Sequence, residues 1–186
     1  SATVYHTNYK DKITESRTCD TSAGDASCTY AGSSYTFISE RFNVDRVEMQ
    51  GLELTLSHAF SESLSITGNY TYTDSEQKTG DFAGEPLNRL PKHMANATLN
   101  WDTTPKLSSW ARVNYRGESS EGLYRTSMQE AIPSYTFVDT GISYSINKSV
   151  SVYAGIYNVL DKKVDDDTYD KVLDGRRYNA KVKMTF

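Results

Sequence analysis

The chain has 186 residues, with 20 Lys and Arg against 24 Asp and Glu for a net charge of -4, and 14 tyrosines in a sequence only 37% hydrophobic. Mean hydropathy is -0.62, and no stretch approaches the roughly 20 consecutive apolar residues that a transmembrane helix requires. The acidic balance excludes the basic footprint of a nucleic-acid surface, and the wealth of Tyr with only 4 Pro speaks against disorder.

Period-2 alternation dominates from end to end. Ser1 to Tyr5 reads as a strand already under way, which predicts a natural amino terminus elsewhere. A first strand is expected near residues 2–14, with Tyr5, Tyr9 and Ile13 outward. Cys19 and Cys28 follow in a polar run. No further ligands stand at metal-site spacing, so a loop-closing disulfide in an oxidising compartment is expected. Seven further segments each set an apolar side against a polar one. In chain order the apolar sets are Leu52, Leu54 and Leu56; Leu64, Ile66, Gly68, Tyr70 and Tyr72; Ala95, Ala97, Leu99 and Trp101; Leu107, Ala111, Val113 and Tyr115. They continue with Val138, Thr140, Ile142, Tyr144 and Ile146; Val150, Val152, Ala154 and Ile156; and Tyr178, Ala180, Val182, Met184 and Phe186.

The opposing sides are too polar for the core of a soluble sandwich, and the apolar sides carry few charges. Lipid outside and water inside select this inverted pattern. Connections alternate as well. Short turns fall near 61–63, 102–106 and 147–148, and long polar loops near 16–40, 75–92, 117–134 and 160–175, as in outer-membrane barrels with short periplasmic turns and long extracellular loops. With that orientation Tyr70, Tyr72, Tyr115, Tyr135 and Tyr178 fall near the loop rim, and Phe60, Trp101, Tyr144 and Phe186 near the turn rim, two aromatic girdles. The fold class is thus all-β, with antiparallel transmembrane β-barrel strands.

Several motifs recur in order over residues 40–186. Val44 to Leu54 contains Gly51-Leu52-Glu53, and Tyr70-Thr71-Tyr72 ends the next strand. Leu90-Pro91-Lys92-His93, Tyr157-Asn158-Val159-Leu160-Asp161-Lys162 and Gly175-Arg176-Arg177-Tyr178 follow. Together these resemble the TonB-dependent siderophore receptors, closest in flavour to catecholate-siderophore and colicin receptors. The resemblance implies about eight strands of a 22-stranded barrel with a plugged lumen, forming the carboxy-terminal part of the barrel over 1–186, with the plug and TonB box outside this chain. It implies the bacterial outer membrane as location, energy-coupled uptake of a ferric siderophore by the whole protein, and no cofactor. The partners it implies are membrane lipid, the remaining barrel and plug, TonB, the barrel-assembly machinery and, beyond these, a colicin or phage.

Ferric catecholates are anionic, so Arg and aromatic side chains in loops and upper lumen are the candidate contacts through charge and cation–π interaction: Arg89, Arg116, Tyr124, Arg125, Arg176 and Arg177. Tyr178, Ala180, Val182, Met184 and Phe186 resemble the terminal-strand signal for barrel assembly, a form of β-augmentation. Asp165, Asp166 and Asp167 read as a solvated acidic loop. His6, His58 and His93 stand apart from any nucleophile or carboxylate at recognisable spacing, and no enzyme is expected. Two other architectures compete. A complete eight-stranded barrel with a structural or adhesion role would close on itself; against it stands a lumen side short of bulky residues. A soluble β-sandwich with a Tyr-rich surface would bury its apolar sides in a dry centre.

Overall fold

The computed structural model describes the chain except residues 81, 82, 121, 122, 125, 126, 129, 130, 170 and 186; of residues 14–16, 42, 44, 45, 123, 124, 127 and 128 it describes the backbone only. Eight long strands form an antiparallel meander: β1 (Ala2–Asp20), β2 (Phe37–Ala59), β3 (Leu64–Gln77), β4 (His93–Thr104), β5 (Leu107–Arg116), β6 (Tyr135–Ser145), β7 (Val150–Tyr157) and β8 (Arg177–Met184). Each pairs with its neighbours in sequence. Two short segments, Leu123–Tyr124 and Ser127–Met128, extend the sheet beyond β1, touching it at the Arg17–Tyr124 pair.

Among the described residues β1 and β8 do not pair with each other, so the sheet is open there, with the two strands near opposite margins. A complete eight-stranded barrel requires that closure, and this architecture does not provide it.

The register carries one face through the whole sheet. Leu54 pairs with Tyr70, Tyr70 with Ala95 and Ala95 with Tyr115. Ile142 pairs with Ala154 and Ala154 with Ala180. Leu54 (38% exposed), Val113 (43%), Ile142 (48%) and Val182 (58%) all lie open on this face, which a sandwich would have buried. Among the described residues only Cys28, Val47, Ile132, Val164 and Tyr169 are buried hydrophobics. Hydrocarbon must therefore supply what a protein core supplies elsewhere. Phe60, Trp101 and Tyr144 border the apolar band at the short-turn end, and Tyr70, Tyr72, Tyr115 and Tyr178 at the loop end, all on the outer face.

The turns follow from local chemistry. Asn147 Oδ1 accepts from the backbone N–H groups of Ser149 and Val150, and Thr104 Oγ1 accepts from those of Lys106 and Leu107, so each short connection is closed by a side chain that mimics a backbone turn.

Four expectations need correction. The long loop over 16–40 shrinks to residues 21–36, because β1 and β2 stay paired up to Asp20 and Phe37. At 23 residues, β2 exceeds the roughly 10 needed to cross a bilayer, and its outer end rises as a polar ribbon held by backbone bonds, which no apolar periodicity announces. Tyr5 and Tyr9 face the lumen, since they pair with Gly51 and Val47 on the side opposite Leu52 and Leu54. Ile13, paired with Asn43 in the same unbroken register, follows them, and Val4 takes the outer face at 81% exposure. Tyr135 has the expected height but turns inward, packed with Phe137 and Tyr169. The lumen side is also not short of bulky residues, for Trp110, Tyr153 and Tyr157 stand on it, as Tyr5 does at the other end of the sheet.

Candidate functional site

On the lumen side, glycine and aromatic residues fit together across strands. A Cβ on Gly51 would lie 2.5 Å from the Tyr5 hydroxyl, so that ring lies over the bare backbone and its OH meets Thr73 Oγ1 at 2.8 Å. A Cβ on Gly141 would lie 2.7 Å from Trp110 Nε1 and 2.8 Å from the Ala154 carbonyl. Glycine there lets the indole lie across the neighbouring strand, the arrangement by which an aromatic covers a glycine in a sheet.

Cations then stack on these rings. The Arg112 guanidinium lies 5.4 Å from the Trp110 ring centre, Arg177 lies 5.6 Å from Tyr157, and Lys181 Nζ lies 5.8 Å from Tyr153. Trp110 and Tyr157 are themselves 6.1 Å apart. Arg112 Nε also donates to Thr98 Oγ1 at 3.3 Å. The wall of β5, β7 and β8 thus presents positive charge over π-faces, within cation–π range. Only Arg177 of this array is legible from charge in a loop-end position. Trp110 and Tyr157 are missed because aromatics on a polar face look like strand propensity; their shared parity with Arg112 and Gly141 is the signal that finds them.

The predicted arginines do not form one group. Arg116 Nη2 donates to the Arg89 carbonyl at 2.9 Å, and the Arg89 N–H donates to the Ser120 carbonyl at 2.7 Å. These join the 78–92 loop to the start of the 117–134 loop. Arg177 belongs to the lumenal array and pairs with Asp174 at 3.0 Å, while the Arg176 N–H donates to Asp161 Oδ1 at 2.9 Å. The Tyr124 side chain and Arg125 lie outside the described residues. On β8, Tyr178, Ala180, Val182 and Met184 share the exposed outer face, and among the described residues β8 pairs only with β7; Phe186 lies outside the described residues.

The Tyr157 to Lys162 motif is a structural joint. Asn158 is buried with φ 53°, a left-handed conformation that Asn tolerates. Its Oδ1 accepts from the Lys162 N–H at 2.9 Å, its Nδ2 donates to the Lys162 carbonyl at 2.9 Å, and its own N–H donates to Asp139 Oδ1 at 2.9 Å. Asp161 binds the Arg176 N–H, a bond that holds its carboxyl below the usual carboxylate range, helped by Lys163. The loop then folds back through the Val164–Leu173 bridge and helix α1 (Asp166–Tyr169) onto Ile132. Asp165 caps that helix by accepting from Thr168 N–H at 2.9 Å, and Asp166 and Asp167 open its first turn, where negative charge is favoured. The acidic run is thereby accounted for without an ion.

At the other tip, Cys19 and Cys28 form a disulfide with a Cα–Cα distance of 5.7 Å. Asp25 lies near both sulfurs, but bonded cysteines offer no thiolates to a metal. Asp20 accepts from the Ser22 N–H at 2.9 Å and from Arg17 at 2.6 Å. The Ser22 hydroxyl, then Arg17, hold its carboxyl below the ordinary range. Higher on the outer face, Lys78 lies 2.6 Å from Glu76 and 3.3 Å from Glu48.

An open antiparallel sheet, apolar outward and cationic-aromatic inward, with folded loops at one rim and tight turns at the other, is the wall of an outer-membrane β-barrel. The TonB dependent receptor-like, beta-barrel family matches residues 1–159; the chain belongs to that family. It is 44% identical over 187 residues to the iron-regulated outer membrane virulence protein of Vibrio cholerae, covering 100% of this chain and 28% of that protein. Over 130 residues it is 30% identical to the ferrienterobactin receptor of Escherichia coli, covering 66% of this chain and 17% of that protein. The siderophore receptor PiuA from Acinetobacter baumannii shares its fold with a TM-score of 0.74 at 20% identity, covering 98% of this chain and 25% of that one. The chain spans between 17% and 28% of the two curated relatives' length.

Proposed function

We propose that this chain is the carboxy-terminal part of the barrel of a receptor that imports a ferric siderophore of the catecholate class, driven by TonB through a plug outside this chain. The carrying observation is the lumenal array, in which Arg112, Arg177 and Lys181 stack on Trp110, Tyr157 and Tyr153. Flat, anionic, aromatic ligands suit such a surface, because exposed cations held over rings offer charge and π-face together. The names of the relatives, an iron-regulated outer membrane protein and a ferrienterobactin receptor, support the same reading. Arg89, Arg116 and the 176–177 pair are the rim contacts in this proposal, together with Tyr124 and Arg125.

The margins of the sheet suit the remaining strands of a larger barrel. The terminal strand, with Tyr178, Ala180, Val182, Met184 and Phe186, is the segment the barrel-assembly machinery would read by strand addition. Exposed loop tips are the places where a colicin or phage would attach. No enzymatic chemistry is proposed. The test is radioiron uptake by cells whose full-length receptor carries Arg177→Ala or Trp110→Ala, supplied with ferric enterobactin. Weaker apparent affinity with unchanged receptor abundance is expected. Uptake that is unaltered by deleting the gene, or independent of TonB, would refute the proposal.

A further inference from the structure

The lumenal positions divide the sheet into two halves of different charge. From β2 to β4 they are the odd positions of 47–59 and 65–77 and the even positions of 94–102, and they include no cation and two carboxylates, Glu53 and Asp102. From β5 to β8 the same side carries Arg112, Arg116, Arg177, Lys181 and Lys183 against one carboxylate, Asp139. Asp139 is buried, and its two oxygens accept from the Asn158 N–H at 2.9 Å and from Asn114 Nδ2 at 3.3 Å. It ties strands and loop together and leaves the exposed lysines of β8 uncompensated.

On β8 the cations form a line. Arg177 stands at the loop end beside Tyr157, Lys181 lies four residues lower beside Tyr153, and Lys183, paired with Ser151, is two residues lower again, close to the 147–148 turn. The line covers about 20 Å along the strand. Every β8 side chain from Arg177 to Met184 is exposed, and among the described residues neither Lys181 nor Lys183 pairs with a carboxylate. Three like charges on one side of one strand repel one another without holding any neighbour in place. A wall of one sign in a low-dielectric enclosure does, however, concentrate solutes of opposite charge. Passage through a lumen needs several weak stations, each favourable enough to be entered and weak enough to be left, and hydrated lysines on flexible stems are stations of that kind.

Resting on the import reading above, we infer that the β5–β8 wall is the track along which the anionic ligand crosses the lumen, with Lys183 its last station before the periplasm. The β2–β4 wall, which has no cation, lies off this route. The test sets one charge at equal height on the two walls. Ser65 is the second residue of β3 and Ser151 the second of β7, each just after a short turn and each lumenal. Cells making the full-length receptor with Ser65→Glu, Ser151→Glu, Lys183→Gln or Lys183→Arg are compared, at matched receptor abundance, for the maximal rate of radioiron uptake from ferric enterobactin. Equilibrium binding of the same complex is measured in a strain lacking TonB. Ser151→Glu, which places a carboxylate opposite Lys183, and Lys183→Gln should each slow maximal uptake about two- to fivefold, the worth of one solvated charge contact, with binding unchanged. Ser65→Glu should import at the unaltered rate, and Lys183→Arg, which keeps the charge, should retain it as well. Equal rates in all four, equal slowing by Ser65→Glu and Ser151→Glu, or binding that weakens in step with uptake would each overturn the inference. So would sensitisation of the cells to vancomycin by Lys183→Gln, which would assign that lysine to holding the plug. Uptake absent from the unaltered receptor would sink the import reading and this inference with it, whereas the other failures leave import standing.

Discussion

Ala97 offers the sharpest test of which side of the wall touches hydrocarbon. On β4 it lies midway between His93 and Trp101, the residues nearest the two girdles, so it sits about 10 Å from either interface for strands tilted by roughly 40°. An arginine there must place a guanidinium near the centre of the bilayer, which costs about 2–4 kcal/mol in a barrel wall. The neighbouring Asn96 points into the lumen and pairs with Asn69 and Asn114; an arginine there stays wet and should cost about 0.5 kcal/mol or less. Urea unfolding of the full-length receptor from lipid bilayers, with Ala97→Arg and Asn96→Arg compared at equal lipid composition, reads the difference. Expected is a folding equilibrium weakened roughly thirty- to several-hundredfold at position 97 only. Equal costs at the two positions, or a greater cost at 96, would refute the inside-out assignment.

Gly141→Ala should destabilise the receptor by about 1–3 kcal/mol, the usual cost of overpacking. A Trp110→Ala background should recover only part of this in a double-mutant cycle, because the Ala154 carbonyl lies as close as the indole. Asn158→Ala should loosen the loop over 158–176, since it removes two hydrogen bonds to Lys162 worth about 1 kcal/mol each and places alanine at positive φ; faster amide exchange confined to that loop is the readout. Asp20 has a lowered carboxyl pKa, chiefly through the Ser22 hydroxyl and then Arg17. Its contribution is fully present above the unfolded value of about 4 and is lost as pH falls through the lower folded value. Exchange in the 21–36 tip should therefore accelerate on acidification below about pH 4, and Asp20→Asn should flatten that dependence.

Alternation by itself was enough to establish the strands, the outer face of β2 to β8 and most of both girdles, because lipid imposes a period of two on a strand regardless of its partners. Cysteine spacing in a polar run likewise announced the Cys19–Cys28 bridge. Pairing decided the rest. Tyr5 and Tyr9 turned inward because their side is set by register with Gly51 and Val47, and β1 alone carries too few apolar residues to reveal it. Trp110 and Tyr157 joined Arg112 and Arg177 only once glycines on neighbouring strands cleared room for an indole, a relation between residues far apart in the chain. A single strand records which of its sides meets oil; which side chains meet each other is written in the registers between strands and in the folding of the loops over them.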